Sequence, residues 1–183
     1  AQGVITASAG NHAQGVALAA GKLGIVARIV MPKTTPEIKI AAVRRLGGEI
    51  VLSGNTYDEA AEHAKALAAE KAYTYVPPYD HPLIIAGQGT VGMEILRQHP
   101  QPPHAIFVPV GGGGLIAGVA AYVKALQPAV RIIGVEADEA ACMARALEAG
   151  ERVVLSRIGI FADGAAVRQV GEENFRIARE HVD

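Results

Sequence analysis

The 183-residue sequence predicts an α/β fold: two lobes of parallel sheet flanked by helices. Three observations carry that expectation. Short apolar runs alternate with longer helical patterns along almost the whole chain, as in successive βαβ units. Half of the residues are hydrophobic while aromatics make up 4%, so small side chains dominate a core suited to close helix-on-sheet packing. The stretch Pro77-Pro78-Tyr79-Asp80-His81-Pro82 interrupts the alternation. It sets a boundary near residue 84, with a smaller lobe over residues 1–84 and part of a larger lobe over residues 85–183.

Each element follows from local chemistry. Val4–Ala7 is a short apolar strand, followed by a helix from about Asn11 to Leu23; Ala27–Met31 is a second strand closed by Pro32. Thr35-Pro36-Glu37 reads as N-cap, proline at the first helical position and an early acid. The helix it opens places Ile38, Ala41, Ala42 and Leu46 on one face and stops at Gly47-Gly48. Glu49–Leu52 is a strand, and Thr56-Tyr57-Asp58-Glu59 is a capping box opening an alanine-rich helix to about Ala72. Thr74–Val76 forms another short strand. A helix over Ile84–Gln98 is weakened at its start by Gly87, Gly89 and Gly92. Then come a strand at Ile106–Val110, a turn at Gly111–Gly114, a helix over Leu115–Leu126, a strand at Arg131–Glu136 and a helix over Ala140–Ala149. A loop around Phe161–Val167 precedes a last helix from about Glu172, whose leading acids suit the helix dipole. Opening on Ala1 and closing on Glu180-His181-Val182-Asp183 in mid-pattern, the chain reads as incomplete at both ends.

Charge and composition exclude several classes. Lys+Arg 17 against Asp+Glu 18 gives a net charge of -1, which leaves no electrostatic case for nucleic acid or an anionic membrane surface. A single cysteine, Cys142, excludes a disulfide framework, and the six histidines never fall at metal-ligand spacing. Residues 1–21 lack charge but contain Gln2, Ser8, Asn11, His12 and Gln14 and no basic leader, so they do not read as a signal peptide. The expectation is a soluble, cytoplasmic protein.

Three segments can carry chemistry. In Val108-Pro109-Val110-Gly111-Gly112-Gly113-Gly114-Leu115, four glycines join a strand to a helix. Without Cβ atoms their N–H groups can converge on an anion at the helix N-terminus, a phosphate above all; the alternative is a plain tight turn. Gly112-x-Gly114-x-x-Ala117, with Glu136 ending the next strand, also fits a dinucleotide fingerprint, so a nicotinamide-dependent oxidoreductase is an open reading. Thr6-Ala7-Ser8-Ala9-Gly10-Asn11-His12-Ala13-Gln14-Gly15 clusters short polar side chains where a helix begins. It can grip a carboxylate, or it can be an Asn or Ser cap with His12 exposed. The Asp80-His81 pair could do acid–base work, but a stiff linker explains that run better. A Gly-x-Ser-x-Gly nucleophile turn is absent from the sequence.

Four motifs, TASAGNHAQGVA, VPPYDHP…IAGQGT, VPVGGGGL and FADGAAV, occur in the order and at the spacing of threonine dehydratase (threonine deaminase). The chain resembles the biosynthetic type of that family over essentially its whole length. The resemblance implies a two-lobed, tryptophan-synthase-β-like fold with pyridoxal 5'-phosphate as cofactor. It implies elimination from L-threonine, and usually L-serine, to 2-oxobutanoate and ammonia in isoleucine biosynthesis, by a protein that is usually a homo-oligomer. It assigns the cofactor phosphate to Gly111, Gly112, Gly113, Gly114 and Leu115, and the phenolic oxygen of the ring to Asn11. Gly164, in the Ala162-Asp163-Gly164 turn, lies near the cofactor ring, and Ser8, Ala9, Gly10, Asn11 and His12 receive the substrate carboxylate. The family's Schiff-base lysine belongs to a motif upstream of the SAGNH turn; Lys22, Lys33, Lys39, Lys65, Lys71 and Lys124 all lack that context. The serine that contacts the pyridine nitrogen falls beyond residue 183. The expectation is therefore a central fragment that is inactive alone, with a non-catalytic phosphate-binding module as a further alternative. Some relatives bind a cation after the strand matching Arg131–Glu136; here Cys142 stands where an acidic ligand belongs, so no metal is expected.

Overall fold

The structure, a computed structural model, describes residues 2–159 and 161–183. It divides into two compact units, the first ending at Pro78 and the second running from Tyr79 to Asp183. The segment Tyr79–Pro82 thus travels with the second unit. Among the described residues, no helix is long and apolar enough to cross a membrane.

The first unit is built in chain order from β1 (Val4–Ala7), α1 (Asn11–Leu23), β2 (Ala27–Met31), α2 (Glu37–Arg45), β3 (Glu49–Leu52), α3 (Tyr57–Lys71) and β4 (Thr74–Tyr75). Its strands form one parallel sheet in the order β3-β2-β1-β4, with Ile5 level with Arg28 and with Tyr75. Residues alternate faces along β2. Ile29 and Met31 pack with Ala13, Ala17 and Ala20 of α1 and with Ile40 and Val43 of α2. Val30 points the other way, joining Ile5 and Ala7 against the alanine stripe Ala60, Ala64 and Ala68 of α3. Both faces are covered, which is why these strands read as continuous apolar runs. The capping box of α3 forms as expected. Thr56 Oγ1 accepts the Glu59 N–H at 3.3 Å and Glu59 accepts that of Thr56 at 3.3 Å; the Asn55 N–H above all, and then that of Thr56, hold the Glu59 carboxyl below its usual range.

Helix α2 departs from its expected form twice. Its N-cap is Pro36 rather than Thr35, with no side-chain cap, and Ile38 is 78% exposed. Ile40 and Val43 form the buried face instead. Gly48 explains the rotation: a Cβ there would lie 2.6 Å from Val43 Cγ1 and 3.1 Å from Ala17 Cβ. The close turn into β3 draws Val43 inward and turns Ile38 away.

The second unit contains α4 (Pro82–Gln98), β5 (Ala105–Pro109), α5 (Gly114–Leu126), β6 (Arg131–Val135), α6 (Cys142–Ala149) and α7 (Glu172–His181), with short 3-10 turns at Asp138–Ala140 and Asp163–Ala165. β5 and β6 pair in parallel, with Phe107 opposite Ile133. Val108, Val110, Ile116, Val119, Val123, Ile132 and Phe175 belong to the core of this unit. α4 runs unbroken through Gly87, Gly89 and Gly92, and begins two residues earlier than expected, because His81 caps it by accepting the Leu83 N–H at 3.2 Å. Gly89 and Gly92 let it press on α5, whereas Gly87 faces open space. A Cβ on Gly89 would sit 3.3 Å from the Gly118 carbonyl oxygen, and one on Gly118 only 2.3 Å from that of Ile85. The helix expected from Ala140 starts at Cys142, after the 3-10 turn.

Candidate functional site

In the first unit, β1 delivers the chain into a turn at Ser8–Gly10 and then into α1. Gly10 is the N-cap and supplies no side chain, so neither Ser nor Asn caps this helix; Ser8 Oγ instead accepts the Gly10 N–H at 3.2 Å. His12 is turned inward rather than exposed. Its Nε2 lies 3.1 Å from Oγ1 of the fully buried Thr6 and 3.4 Å from the Val76 carbonyl oxygen. Burial pushes the imidazole below its ordinary pKa, against a weaker upward pull from Val76, so the ring is held neutral. Asn11 is exposed, and its amide makes no hydrogen bond among the described residues. The N–H groups of Ala9, Asn11 and His12 are likewise without acceptors among those residues. The turn therefore offers several donors above an anchored imidazole.

In the second unit, β5 leads through the glycine turn into α5. Each glycine is closely approached, Gly112 and Gly114 both by Tyr79. A Cβ on Gly111 would lie 3.0 Å from Ala165 Cα, one on Gly112 2.4 Å from the Tyr79 ring, one on Gly113 2.8 Å from Met143 Cε, and one on Gly114 3.0 Å from the Tyr79 carbonyl oxygen. Gly113 is also the N-cap of α5 at φ 94, a conformation that strains any side chain. Packing alone thus demands small residues here. A plain tight turn nevertheless leaves one thing over. Gly113 and Gly114 are buried, yet the N–H groups of Gly112, Gly113, Gly114 and Leu115 find no acceptor among the described residues. Orphan donors gathered at a helix N-terminus suit an anion.

The surroundings hold the turn. The Gly112 carbonyl accepts Asn174 Nδ2 at 2.8 Å and the Gly171 N–H at 3.0 Å. Asn174 Nδ2 also donates to the Tyr79 carbonyl at 3.3 Å. Asp80, expected to belong to a linker, caps α7 by accepting the N–H groups of Glu172 and Glu173 at 2.8 and 3.1 Å. Glu136 is spent in the same way, taking the Met143 and Ala144 N–H groups at 2.9 and 2.8 Å at the start of α6. That occupies the acid expected to meet a ribose, so the nicotinamide reading loses the partner it named. Cys142 is buried, with Sγ 3.7 Å from the Gly111 carbonyl; burial, with Glu136 adding to it, pushes the thiol up to about 11. Among the described residues no three His, Cys, Asp or Glu side chains are grouped to hold a metal. Two cavities of about 400 and 410 Å³ share Glu139 and Gly159 and are not lined by the glycine turn, against which Tyr79 is packed.

Residues 1–183 match the pyridoxal-phosphate dependent enzyme family from end to end. The chain belongs to that family. It is 64% identical over 183 residues to an Arabidopsis thaliana protein named threonine dehydratase biosynthetic, chloroplastic, and 56% identical over 186 residues to L-threonine dehydratase biosynthetic IlvA of Burkholderia multivorans. All of this chain is covered in both matches, but only 31% and 37% of those proteins, so it spans about a third of their length. It superposes with a TM-score of 0.94 on the processed form of threonine deaminase isoform 2 from Solanum lycopersicum, at 57% identity, over 100% of this chain and 53% of that one.

The family's cofactor suits the second unit's turn. A phosphate needs several converging donors, and the orphan N–H groups of Gly112, Gly113, Gly114 and Leu115 supply them. Gly164 lies in the 3-10 turn whose Ala165 packs on Gly111. The structure thus brings the FADGAAV and VPVGGGGL motifs together within one unit. Sequence reasoning missed Asn174 and undervalued Tyr79 and Asp80. Asn174 had no signal, being one polar residue early in a charged helix, whereas Tyr79 and Asp80 stood inside a motif already singled out.

Proposed function

We propose that the chain forms cofactor- and substrate-binding parts of a threonine ammonia-lyase, which converts L-threonine, and L-serine by the same chemistry, to a 2-oxo acid and ammonia as a homo-oligomer. The observation that carries this reading is the glycine turn, whose Gly112–Leu115 N–H groups find no acceptor among the described residues, in a chain whose relatives bear the threonine dehydratase name. When bound, pyridoxal 5'-phosphate supplies the electron sink for charge left on the substrate as its α-proton departs.

The chain's own residues do the holding. Gly111, Gly112, Gly113, Gly114 and Leu115 bind the phosphate through backbone donors, with no side-chain entropy lost on binding. Asn11, exposed and without a side-chain hydrogen bond among the described residues, donates its amide to the phenolic oxygen of the ring. Ser8, Ala9, Gly10, Asn11 and His12 receive the substrate carboxylate, largely through N–H groups. His12 acts there through its backbone, because its ring is engaged with Thr6 and Val76 and pins the first turn of α1. Gly164 leaves room for the flat cofactor ring.

The test is 2-oxobutanoate formation from L-threonine by the full protein, with and without added pyridoxal 5'-phosphate. Product that depends on the cofactor is expected. Cofactor binding without turnover of threonine or serine would overturn the proposal.

A further inference from the structure

We infer that Asn174 is a positioning residue for the cofactor phosphate, aiming the Gly113 N–H at the anion by fixing the Gly112 carbonyl. This rests on the reading that the glycine turn holds that phosphate. In a trans peptide the C=O and the following N–H point in opposite directions, so whatever grips the Gly112 oxygen also sets the direction of the Gly113 donor. Two donors grip it: Asn174 Nδ2 at 2.8 Å and the Gly171 N–H at 3.0 Å, both from the start of α7. Gly113 is buried, and its N–H has no acceptor among the described residues. The peptide is therefore anchored on its carbonyl side and presents a free donor on the other.

Asn174 is placed to hold the Gly112 carbonyl. It is 0% exposed and spends its amide nitrogen on two carbonyls, those of Gly112 and Tyr79. Its Oδ1 is buried without a partner among the described residues, a cost that an apolar side chain of similar size would avoid. A residue kept for packing alone would not carry that cost. Asp80 fixes the same helix start from the other side, accepting the Asn174 N–H at 3.4 Å, and Gly113 has no Cβ because Asn174 Cβ would stand 2.9 Å from it. Helix α7, the Tyr79–Asp80 segment and the glycine turn are thereby joined at one side chain.

The experiment compares pyridoxal 5'-phosphate with pyridoxal, which lacks the phosphate, as ligands of the full protein and of its Asn174→Leu and Asn174→Asp variants. The unsubstituted protein should prefer the phosphorylated ligand. Asn174→Leu, which keeps size but donates nothing, should cut that preference about tenfold or more, the scale of one hydrogen bond to a charged group, and leave pyridoxal affinity within about twofold. An undiminished preference in a folded variant overturns the role of Asn174. If the unsubstituted protein shows no preference, the phosphate reading itself fails. Should Asn174→Leu not fold, Asn174→Asp serves, since it keeps the shape and loses both N–H donors. The amide resonance of Gly113 in the unsubstituted protein decides independently of any variant. A downfield shift with pyridoxal 5'-phosphate but not with pyridoxal supports the inference, and a stationary resonance overturns it.

Discussion

The Asp80 carboxylate accepts the Glu172 N–H at 2.8 Å, linking positions 92 residues apart. The first N–H groups of a helix have no partner within it, and the N-cap of α7, Gly171, has no side chain to serve them. Asp80 does so from a distance. Asp80→Ala should therefore lower the stability of the second unit by about 1–2 kcal/mol, the range for losing a helix cap. Asp80→Asn, which keeps an acceptor oxygen, should lose less than half as much. Urea unfolding checks both, and equal losses would reject capping as the cause.

Two glycines in neighbouring helices should respond oppositely to alanine. Gly118 lies where α5 presses on α4, and a Cβ there falls 2.3 Å from the Ile85 carbonyl and 2.6 Å from the Gly89 nitrogen. Both are backbone atoms that cannot step aside, so Gly118→Ala should cost about 1–3 kcal/mol. Gly87, exposed in α4, has nothing within 4 Å of its would-be Cβ. Gly87→Ala should stabilise the helix by about 0.5–1 kcal/mol. Thermal unfolding of the pair gives the comparison, and a shift of the same sign in both would show that the close approach of α4 to α5 is not what selects Gly118.

Most of the fold was legible because its signals are local. Apolar runs bounded by proline and glycine gave the strands, and the Thr56–Glu59 capping box gave the start of α3. What could not be read was set by distant partners. The buried face of α2 depends on Gly48 touching Val43, Ala17 and Ile29. Gly89 and Gly92 of α4 look like flaws until α5 is packed against them. At the candidate site the glycine turn announced itself, but Asn174, 62 residues further along, joins it through a single side-chain amide. Asp80 and Glu136 looked like a linker acid and a strand-end acid because only the folded chain shows which helix starts they reach.

His12 should give the first unit a pH-dependent stability. Burial lowers its pKa from the ordinary 6.5, so the unfolded chain binds a proton more readily than the folded one. Stability then rises with pH wherever the unfolded state holds more protons. The contribution of the neutral ring is complete above 6.5 and is lost as pH falls through the lowered value. His12→Gln cannot titrate in that window. The urea midpoint of the unsubstituted protein should therefore fall relative to that of the variant as the pH is taken from about 8 to about 5. A gap that stays constant across the range would mean that the ring is no harder to protonate in the folded state.

Gly164 offers the cleanest separation of folding from cofactor binding. Alanine at Gly113 would be forced into φ 94 with its Cβ 2.8 Å from Met143 Cε, so any lost cofactor affinity there would be mixed with about 1–3 kcal/mol of strain. At Gly164 a Cβ meets nothing within 4 Å, and the backbone is not in the left-handed region. Gly164→Ala should accordingly unfold like the unsubstituted protein, within about 0.5 kcal/mol. If the cofactor ring passes over this turn, the added methyl occupies its path, and affinity for pyridoxal 5'-phosphate and for pyridoxal should fall together, because the ring is common to both. A loss confined to the phosphorylated ligand would instead place the disturbance at the glycine turn through Ala165, which packs on Gly111. Unchanged affinity for both ligands would remove Gly164 from the ring's surroundings.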